Sequence, residues 1–128
     1  MKNIDLIYKD LSYKIIGILY QVYNELGYGY QEKYYQRAIA KLLIKNNLNY
    51  KEQLNLPVEF QGEKIGRYYL DFLIENKIVL EIKKENNFRR HNIEQIYAYL
   101  KRFNLKLGIL ANFTKNGVKI KRIVNINL

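Results

Sequence analysis

Residues 64–84 contain two apolar runs around a short polar turn, and this pattern constrains the fold more than any other feature. The runs, 68–74 and 78–82, are rich in β-branched and aromatic side chains, and residues 75–77 separate them. Apolar runs of this composition around a short polar segment are typical of a β-hairpin. The sequence therefore predicts two adjacent antiparallel strands here.

The predicted hairpin brings two acidic side chains together. If the loop has three residues, Asp71 pairs with Glu81, and opposed residues share a face with Cβ atoms roughly 4.5–5.5 Å apart. Like charges placed so repel each other, and a bound divalent cation removes the repulsion. Because side chains alternate along a strand, Lys83 lies on the same face. A two-residue loop would instead place Asp71 opposite Ile82, so both registers stay open.

The Glu81-Ile82-Lys83 pattern is weak evidence when taken alone. The chain has 16 lysines, and Glu75-Asn-Lys77 repeats the same spacing within the hairpin. A solvated strand edge is the ordinary alternative. Asp71, however, stands in a run that is expected to be buried on both faces, where an acid needs a partner. We therefore interpret Asp71 and Glu81 as a metal-binding pair.

Length and composition predict one domain spanning residues 1–128. The absence of cysteine excludes a disulfide framework and a thiolate metal site. We find neither a signal-peptide pattern nor an apolar run of the roughly 18 residues that a membrane span needs. The expected location is cytoplasmic, with no membrane partner.

The net charge of +10 is unevenly distributed. Residues 1–82 carry 11 basic and 10 acidic side chains, whereas residues 83–128 carry 11 basic side chains and only two acids, Glu85 and Glu94. A surplus of basic residues that begins at the proposed site is expected of a surface that binds polyanions. The alternative explanation is that the surplus only keeps the protein soluble.

Hydrophobic periodicity predicts the order ααβββαββ, with helices around a mixed sheet. Gly27 is expected to cap the first helix, and a second is predicted over 31–46. Strands are expected at 50–55 and 57–61, in the hairpin 64–84, at 105–113 and at 118–126. A third helix is predicted over 90–103. The expected inward side chains are Leu11, Ile15, Ile18, Leu19, Val22 and Leu26 in the first helix, Tyr35, Ile39, Leu42 and Leu43 in the second, and Ile93, Ile96, Tyr97 and Leu100 in the third.

Three polar residues on the predicted helices are candidates for the site. Glu32 lies at the first turn of the second helix on its core-facing stripe, where an acid is also favoured by the helix dipole alone. Gln95 and Tyr99 form an i, i+4 pair on the flank of the third helix, a placement that is often only surface. His91, the single histidine, is expected near a helix N-terminus and is given no catalytic role.

Together these residues resemble the PD-(D/E)XK nuclease superfamily. Asp71 and Glu81-x-Lys83 match its paired motif, with Leu70 in place of the nominal proline. Gly29, Glu32 and Tyr35 are similar to the signature of its GxxExxY branch, and Gln95 with Tyr99 to the QxxxY element. The likeness covers nearly the whole chain. It implies a restriction-endonuclease-like α/β fold, in which helices flank a four-stranded core sheet.

The resemblance also implies roles for these residues, with one or two Mg²⁺ ions as cofactor. Asp71, Glu81 and the Ile82 carbonyl would bind the principal metal, which Glu32 would approach directly or through water. Lys83 would orient the attacking water or stabilise developing charge, and Gln95 would hold Lys83 or a metal-bound water. The residues expected to contact the substrate are Tyr99, Lys84, Arg89 and Arg90.

The resulting hypothesis is a Mg²⁺-dependent nuclease, with Mn²⁺ as a substitute, that hydrolyses phosphodiester bonds in DNA. Endonuclease and exonuclease action both stay open, as does RNA as a substrate. One alternative is a catalytically inactive nucleic-acid-binding module with the same fold. Another is a dimer module that uses the 13 tyrosines, although most of these rings are expected in the core. A homodimer is expected only by analogy with small junction-cleaving enzymes of the superfamily.

Overall fold

The computed structural model describes residues 7–127. Within these residues three helices and five strands follow one another in the predicted order ααβββαββ. No helix within this range is long and apolar enough to span a bilayer. The elements are α1 (Lys9–Leu26), α2 (Glu32–Lys45), β1 (Tyr50–Phe60), β2 (Glu63–Ile74), β3 (Ile78–Lys83), α3 (Arg90–Arg102), β4 (Leu107–Thr114) and β5 (Gly117–Val124).

The five strands form one mixed sheet in the order β1-β2-β3-β4-β5. Strands β3 and β4 are parallel, and the other neighbours are antiparallel. Parallel neighbours need a crossover connection, and α3 supplies it between β3 and β4. The resemblance implies a core sheet of four strands, and the sheet of this chain has the five strands that the predicted order contains.

Strand β1 is continuous, which corrects the prediction of separate strands at 50–55 and 57–61. It runs through Pro57, which pairs with Arg67 of β2. Proline lacks the N–H that a central strand would use, but β1 lies at the edge of the sheet, where that group would face solvent. A register shift follows between Val58 and Glu59. The distal half of the β1–β2 hairpin lies outside the core, and residues 59–69 are exposed.

Helices cover both faces of the sheet, and each face has its own hydrophobic cluster. Helices α1 and α2 pack against one face, and α3 packs against the other. The first cluster contains Ile15, Ile18, Leu19, Val22, Tyr35, Ile39, Leu43, Phe72, Ile74, Ile78, Leu80, Ile82, Leu107, Ile109, Ala111, Phe113 and Val118. The second contains Leu54, Leu56, Leu70, Leu73, Val79, Ile96, Tyr99, Leu100, Leu110 and Ile123. Asp71, Glu81 and Lys83 lie on β2 and β3, and both of these strands contribute side chains to the clusters on both faces of the sheet.

The ends of α1 and α2 agree with the periodicity in the sequence. Gly27 follows α1 at φ 79°, a left-handed conformation, and its N–H donates to the Tyr23 carbonyl at 2.7 Å. In α2, Tyr35, Ile39 and Leu43 are buried as predicted. Leu42 is only half-buried, because the helix presents a narrower stripe to the sheet.

Helix α3 is rotated relative to the prediction. Its buried side chains are Asn92, Ile96, Tyr99 and Leu100, whereas Ile93 and Tyr97 are only half-buried. Gly108 of β4 explains the contact, because a Cβ atom at that position would overlap the side chain of Ile96. The missing side chain lets this part of α3 lie close against the sheet.

Candidate active site

The β2–β3 hairpin has the three-residue loop that gives the first of the two predicted registers. Ile74 pairs with Ile78 and Phe72 with Leu80. Both Glu75 and Asn76 have φ 54°, and the Lys77 N–H donates to the Ile74 carbonyl at 2.9 Å. The alternative register, which would oppose Asp71 to Ile82, is thereby excluded.

The backbone pairing between β2 and β3 ends at Phe72 and Leu80. Beyond this point, two side-chain carboxyl groups accept the hydrogen bonds between the strands. The Ile82 N–H donates to Asp71 Oδ2 at 2.8 Å, and the Asp71 N–H donates to Glu81 Oε1 at 2.9 Å. Each acid therefore accepts a hydrogen bond from the opposite strand. The side chains lie in the fork between the strands, and the two acids converge as the sequence predicts.

A lysine and a glutamine complete the contacts of the acidic pair. Lys83 Nζ lies 3.5 Å from Glu81 Oε2, and its side chain is 27% exposed whereas that of Glu81 is 5% exposed. From α2, Gln36 Nε2 donates to Asp71 Oδ1 at 2.9 Å. Sequence reasoning missed Gln36 as a site residue. Its position four residues after Glu32, on the same side of the helix, was the available signal.

Burial is the largest cause of the pKa shifts of Asp71 and Glu81. Desolvation, followed by the negative charge of Asp71, raises the pKa of Glu81 to about 8, against an opposing effect of Lys83. Desolvation also raises the pKa of Asp71, and the Ile82 N–H opposes it. Hydrogen bonding between the carboxyl groups opposes the rise in the pKa of Asp71 and adds to the rise in the pKa of Glu81. At neutral pH the metal-free Glu81 therefore keeps its proton.

Glu32 is the first residue of α2, as predicted, and is half-buried. Its negative charge raises the pKa of Asp71, which places it in the electrostatic neighbourhood of the pair. Within residues 7–127, no three Asp, Glu, His or Cys side chains lie together in an arrangement that could hold a metal ion. Glu32 is thus a neighbour of the two carboxylates and does not complete a three-acid ligand set in this structure.

The QxxxY pair on α3 is more buried than the predicted position on the flank of the helix implies. Tyr99 is only 7% exposed and belongs to the second hydrophobic cluster, where its ring packs 4.4 Å from that of Phe103. Burial raises the pKa of Tyr99. The flank position predicted for Tyr99 is wrong, because the buried stripe of α3 is rotated toward it. Gln95 is half-buried, and no hydrogen bond in the described chain joins it to Lys83.

The basic residues that follow β3 surround an open cavity. Its volume is about 560 Å³, and its lining residues are Lys84, Glu85, Asn86, Asn87 and Arg89. Arg89 pairs with Glu85, and Arg90 Nε lies 3.1 Å from Glu94 Oε2. Both acids of residues 83–128 are therefore paired with the arginines. His91 is exposed in the first turn of α3, as expected.

Asn112 connects the loop between β3 and α3, which lines the cavity, to the sheet. Asn112 lies on β4 in parallel register with Lys83, and its side chain is buried. Its Nδ2 donates to the Asn87 carbonyl at 3.0 Å. The loop from β3 to α3 is therefore fixed next to the strand that carries Lys83.

Comparisons with known proteins agree with this arrangement. The model of the PD-(D/E)XK nuclease superfamily matches residues 9–123, and the chain therefore belongs to this superfamily. The superfamily is named for its nucleases, and these enzymes generally use divalent metal ions. No curated protein matches the chain.

The solved structures that are similar to this chain include the two that follow. The crystal structure of SSO0001 is similar with a TM-score of 0.55 at 20% identity, over 73% of this chain and 50% of that chain. This chain thus corresponds to half the length of SSO0001. An alkaline exonuclease, LHK-Exo from Laribacter hongkongensis, is similar with a TM-score of 0.49 at 10% identity, over 91% of this chain and 83% of that chain.

Proposed function

We propose that this protein is a Mg²⁺-dependent nuclease that hydrolyses phosphodiester bonds in DNA. The observation that carries the proposal is the convergence of Asp71 and Glu81 in the strand fork, with Lys83 Nζ 3.5 Å from Glu81. Superfamily membership supports a nuclease, and the basic surplus after residue 82 supports a polyanionic substrate.

The donor set at the fork fits a hard divalent cation. Asp71 and Glu81 offer carboxylate oxygens, and the Ile82 carbonyl is the third oxygen that we assign to the ion. A cation is a favourable replacement for the proton that the buried pair retains at neutral pH, because it neutralises both charges. Bound Mg²⁺ would supply a water of lowered pKa and offset charge on the phosphate. Mn²⁺ prefers similar oxygen ligands and is expected to substitute.

Residues of the chain itself orient and stabilise the reacting groups. The Ile82 N–H and Gln36 hold the two oxygens of Asp71 in fixed directions. Lys83, held near Glu81 and only partly exposed, places a positive charge where the attacking water or the developing phosphate charge would lie. In this proposal Glu32 orients water from the first turn of α2, and Gln95 fixes Lys83 or a water from α3. Lys84, Arg89 and Arg90 are proposed to contact the substrate backbone, whereas the burial of Tyr99 argues against the substrate contact predicted for it.

We also assign the chain to the GxxExxY branch of the superfamily, which the loop before α2 supports. Gly29 has φ 113°, a conformation that favours glycine. Tyr35 is fully buried, and its hydroxyl donates to the Gly27 carbonyl at 2.6 Å and accepts from the Tyr30 N–H at 3.3 Å. The glycine and tyrosine of the signature therefore shape the turn that places Glu32 beside the acidic pair.

A second candidate function is nucleic-acid binding without turnover. The charge asymmetry of the chain favours it, because a basic half is sufficient for binding a polyanion. This candidate predicts salt-sensitive binding and no cleavage with any metal, with a log–log salt slope of about 0.9 per phosphate contact on duplex DNA.

Cleavage of labelled DNA tests the proposal. Purified protein should cut DNA with Mg²⁺ or Mn²⁺ and not with EDTA, and Asp71→Ala and Lys83→Ala should abolish cutting. The matched control is Lys77→Ala, because Glu75-Asn-Lys77 repeats the Glu-x-Lys spacing on the loop of the same hairpin. Equal activity in wild type and both site variants would identify a contaminant and refute the proposal. Tight binding with no cleavage would favour the second candidate.

A further inference from the structure

Seven tyrosines are exposed in the described chain, which corrects the expectation that most rings lie in the core. Only Tyr35 and Tyr99 are buried. Three exposed rings lie close together in the sequence, in the loop before α2 and its first turn. They are Tyr28, Tyr30 and Tyr34, which are 47%, 45% and 42% exposed. We refer to these three residues as the tyrosine platform.

Contacts between aromatic rings connect part of the platform to the buried side chain of Tyr35. The Tyr30 ring meets the rings of Tyr34 and Tyr35 edge to face, with centroid distances of 6.3 Å and 6.1 Å. Tyr35 is anchored in the core beneath them, and its hydroxyl is hydrogen-bonded to both ends of the loop, at Gly27 and Tyr30. The exposed Tyr30 ring is therefore held by the buried Tyr35 ring, and Tyr34 packs on Tyr30.

Positive charges flank the platform at both ends. Lys84 Nζ lies 6.0 Å from the centroid of the Tyr28 ring. Around Tyr34, Lys33 Nζ and the Arg37 guanidinium lie 5.3 Å and 5.8 Å from the ring centroid. Cationic side chains interleaved with aromatic rings are the combination that tracks a nucleic-acid backbone while its bases stack.

The platform is continuous with the candidate active site. Lys84, which contacts its Tyr28 end, directly follows Lys83. On α2, Glu32 precedes Tyr34 and raises the pKa of Asp71, and Gln36 follows it and donates to Asp71. The platform and the acidic pair are therefore connected through Lys84 and through the first turns of α2.

We propose that the tyrosine platform stacks unpaired bases and so directs the site to single-stranded DNA or to single-stranded segments. This inference rests on the proposed nuclease function and names its substrate class. In a duplex the faces of the bases are covered by their neighbours, whereas unpaired bases can stack on aromatic side chains. The cations around the rings would then hold the backbone phosphates.

Equilibrium binding tests the inference without any need for turnover. The probe is a fluorescein-labelled oligothymidylate of about 16 nucleotides, a length that spans a typical single-strand site. Fluorescence anisotropy with EDTA compares wild type with Tyr28→Ala and Tyr34→Ala, and Tyr28→Phe and Tyr34→Phe retain the rings. Tyr13→Ala is the matched control, because Tyr13 is 64% exposed with Lys9 Nζ 5.9 Å from its ring centroid, near the opposite end of α1.

Each alanine substitution should weaken single-strand binding roughly 5- to 100-fold. The phenylalanine variants should bind within a factor of about two of wild type because stacking needs only the ring, and the Tyr13 control should bind like wild type. A labelled duplex of the same length should bind more weakly than the single strand. Binding should also quench tyrosine emission, and less so in the alanine variants. The substituted rings are exposed, so thermal melts should match wild type.

Two results would overturn the inference: alanine variants that bind the single strand like wild type, or a duplex that binds as tightly as the single strand. Loss of binding in the phenylalanine variants would also refute stacking, because those variants retain the rings. Cleavage does not enter this assay. A protein that binds through the rings and never cuts would refute the nuclease and leave the platform established.

Discussion

Replacement of Glu81 by glutamine should stabilise the metal-free protein at high pH. In wild type the folded protein retains the Glu81 proton up to a pKa of about 8, whereas the ordinary value is 4.5. The stabilising contribution of this proton is complete below pH 4.5 and is lost as the pH rises through about 8. Glutamine mimics the protonated side chain, because its amide can donate to Asp71 while its oxygen still accepts from the Asp71 N–H.

The magnitude follows from the difference between the two pKa values of Glu81. Each pH unit in this window removes about 1.4 kcal/mol from the free energy of unfolding. Between pH 5 and pH 9 the advantage of Glu81→Gln over wild type should therefore grow by about 4 kcal/mol. Titrating groups that do not interact with Glu81 cancel in this difference, because both proteins carry them.

Urea denaturation with EDTA at pH 5, 7 and 9, followed by circular dichroism, measures this advantage. Addition of Mg²⁺ at pH 9 should stabilise wild type, by about 2.7 kcal/mol at one hundred times its Kd. The variant should gain less, because it has lost a charged ligand. A difference between the two proteins that stays constant from pH 5 to pH 9 would refute the shared-proton description of the pair.

Two further predictions concern a site contact and a packing contact. Gln36→Ala should lower kcat about 10- to 100-fold with little change in KM, because Asp71 loses a hydrogen bond to its carboxylate; a change confined to KM would contradict this role. Gly108→Ala should destabilise the fold by about 1–3 kcal/mol through overlap with Ile96, whereas Gly17→Ala in α1, where a Cβ atom has free space, should be stabilising by about 0.5–1 kcal/mol. Thermal melts of both variants measure this contrast, and equal effects would contradict the packing account.

The sequence predicts best those features that depend on local chemistry. The sequence located the hairpin of β2 and β3 and left two registers open, and the structure has the three-residue loop whose register brings Asp71 and Glu81 together. Helical periodicity placed α1, α2 and α3 within a few residues of their observed ends. Turn geometry and hydrophobic period are properties of short segments, so they can be read without the rest of the fold.

The features that the sequence did not predict depend on how elements meet. Gln36 reaches Asp71 because α2 packs against this part of the sheet, a tertiary contact that the sequence does not show. The burial of Tyr99 follows from the close approach of α3 at Gly108, and the continuity of β1 through Pro57 follows from its edge position. Sequence composition does not distinguish exposed tyrosines from buried ones, because the ring is apolar and the hydroxyl is polar.

The most direct test of the central claim is a crystal of the protein soaked in Mn²⁺, with anomalous scattering recorded to locate the ion. We expect one strong peak within coordination distance of Asp71, Glu81 and the Ile82 carbonyl, with Glu32 turned toward it. The peak should be absent from crystals of Asp71→Ala. Ion density at another place, or an empty fork in fully soaked crystals, would contradict the assignment of these two carboxylates to a shared metal site.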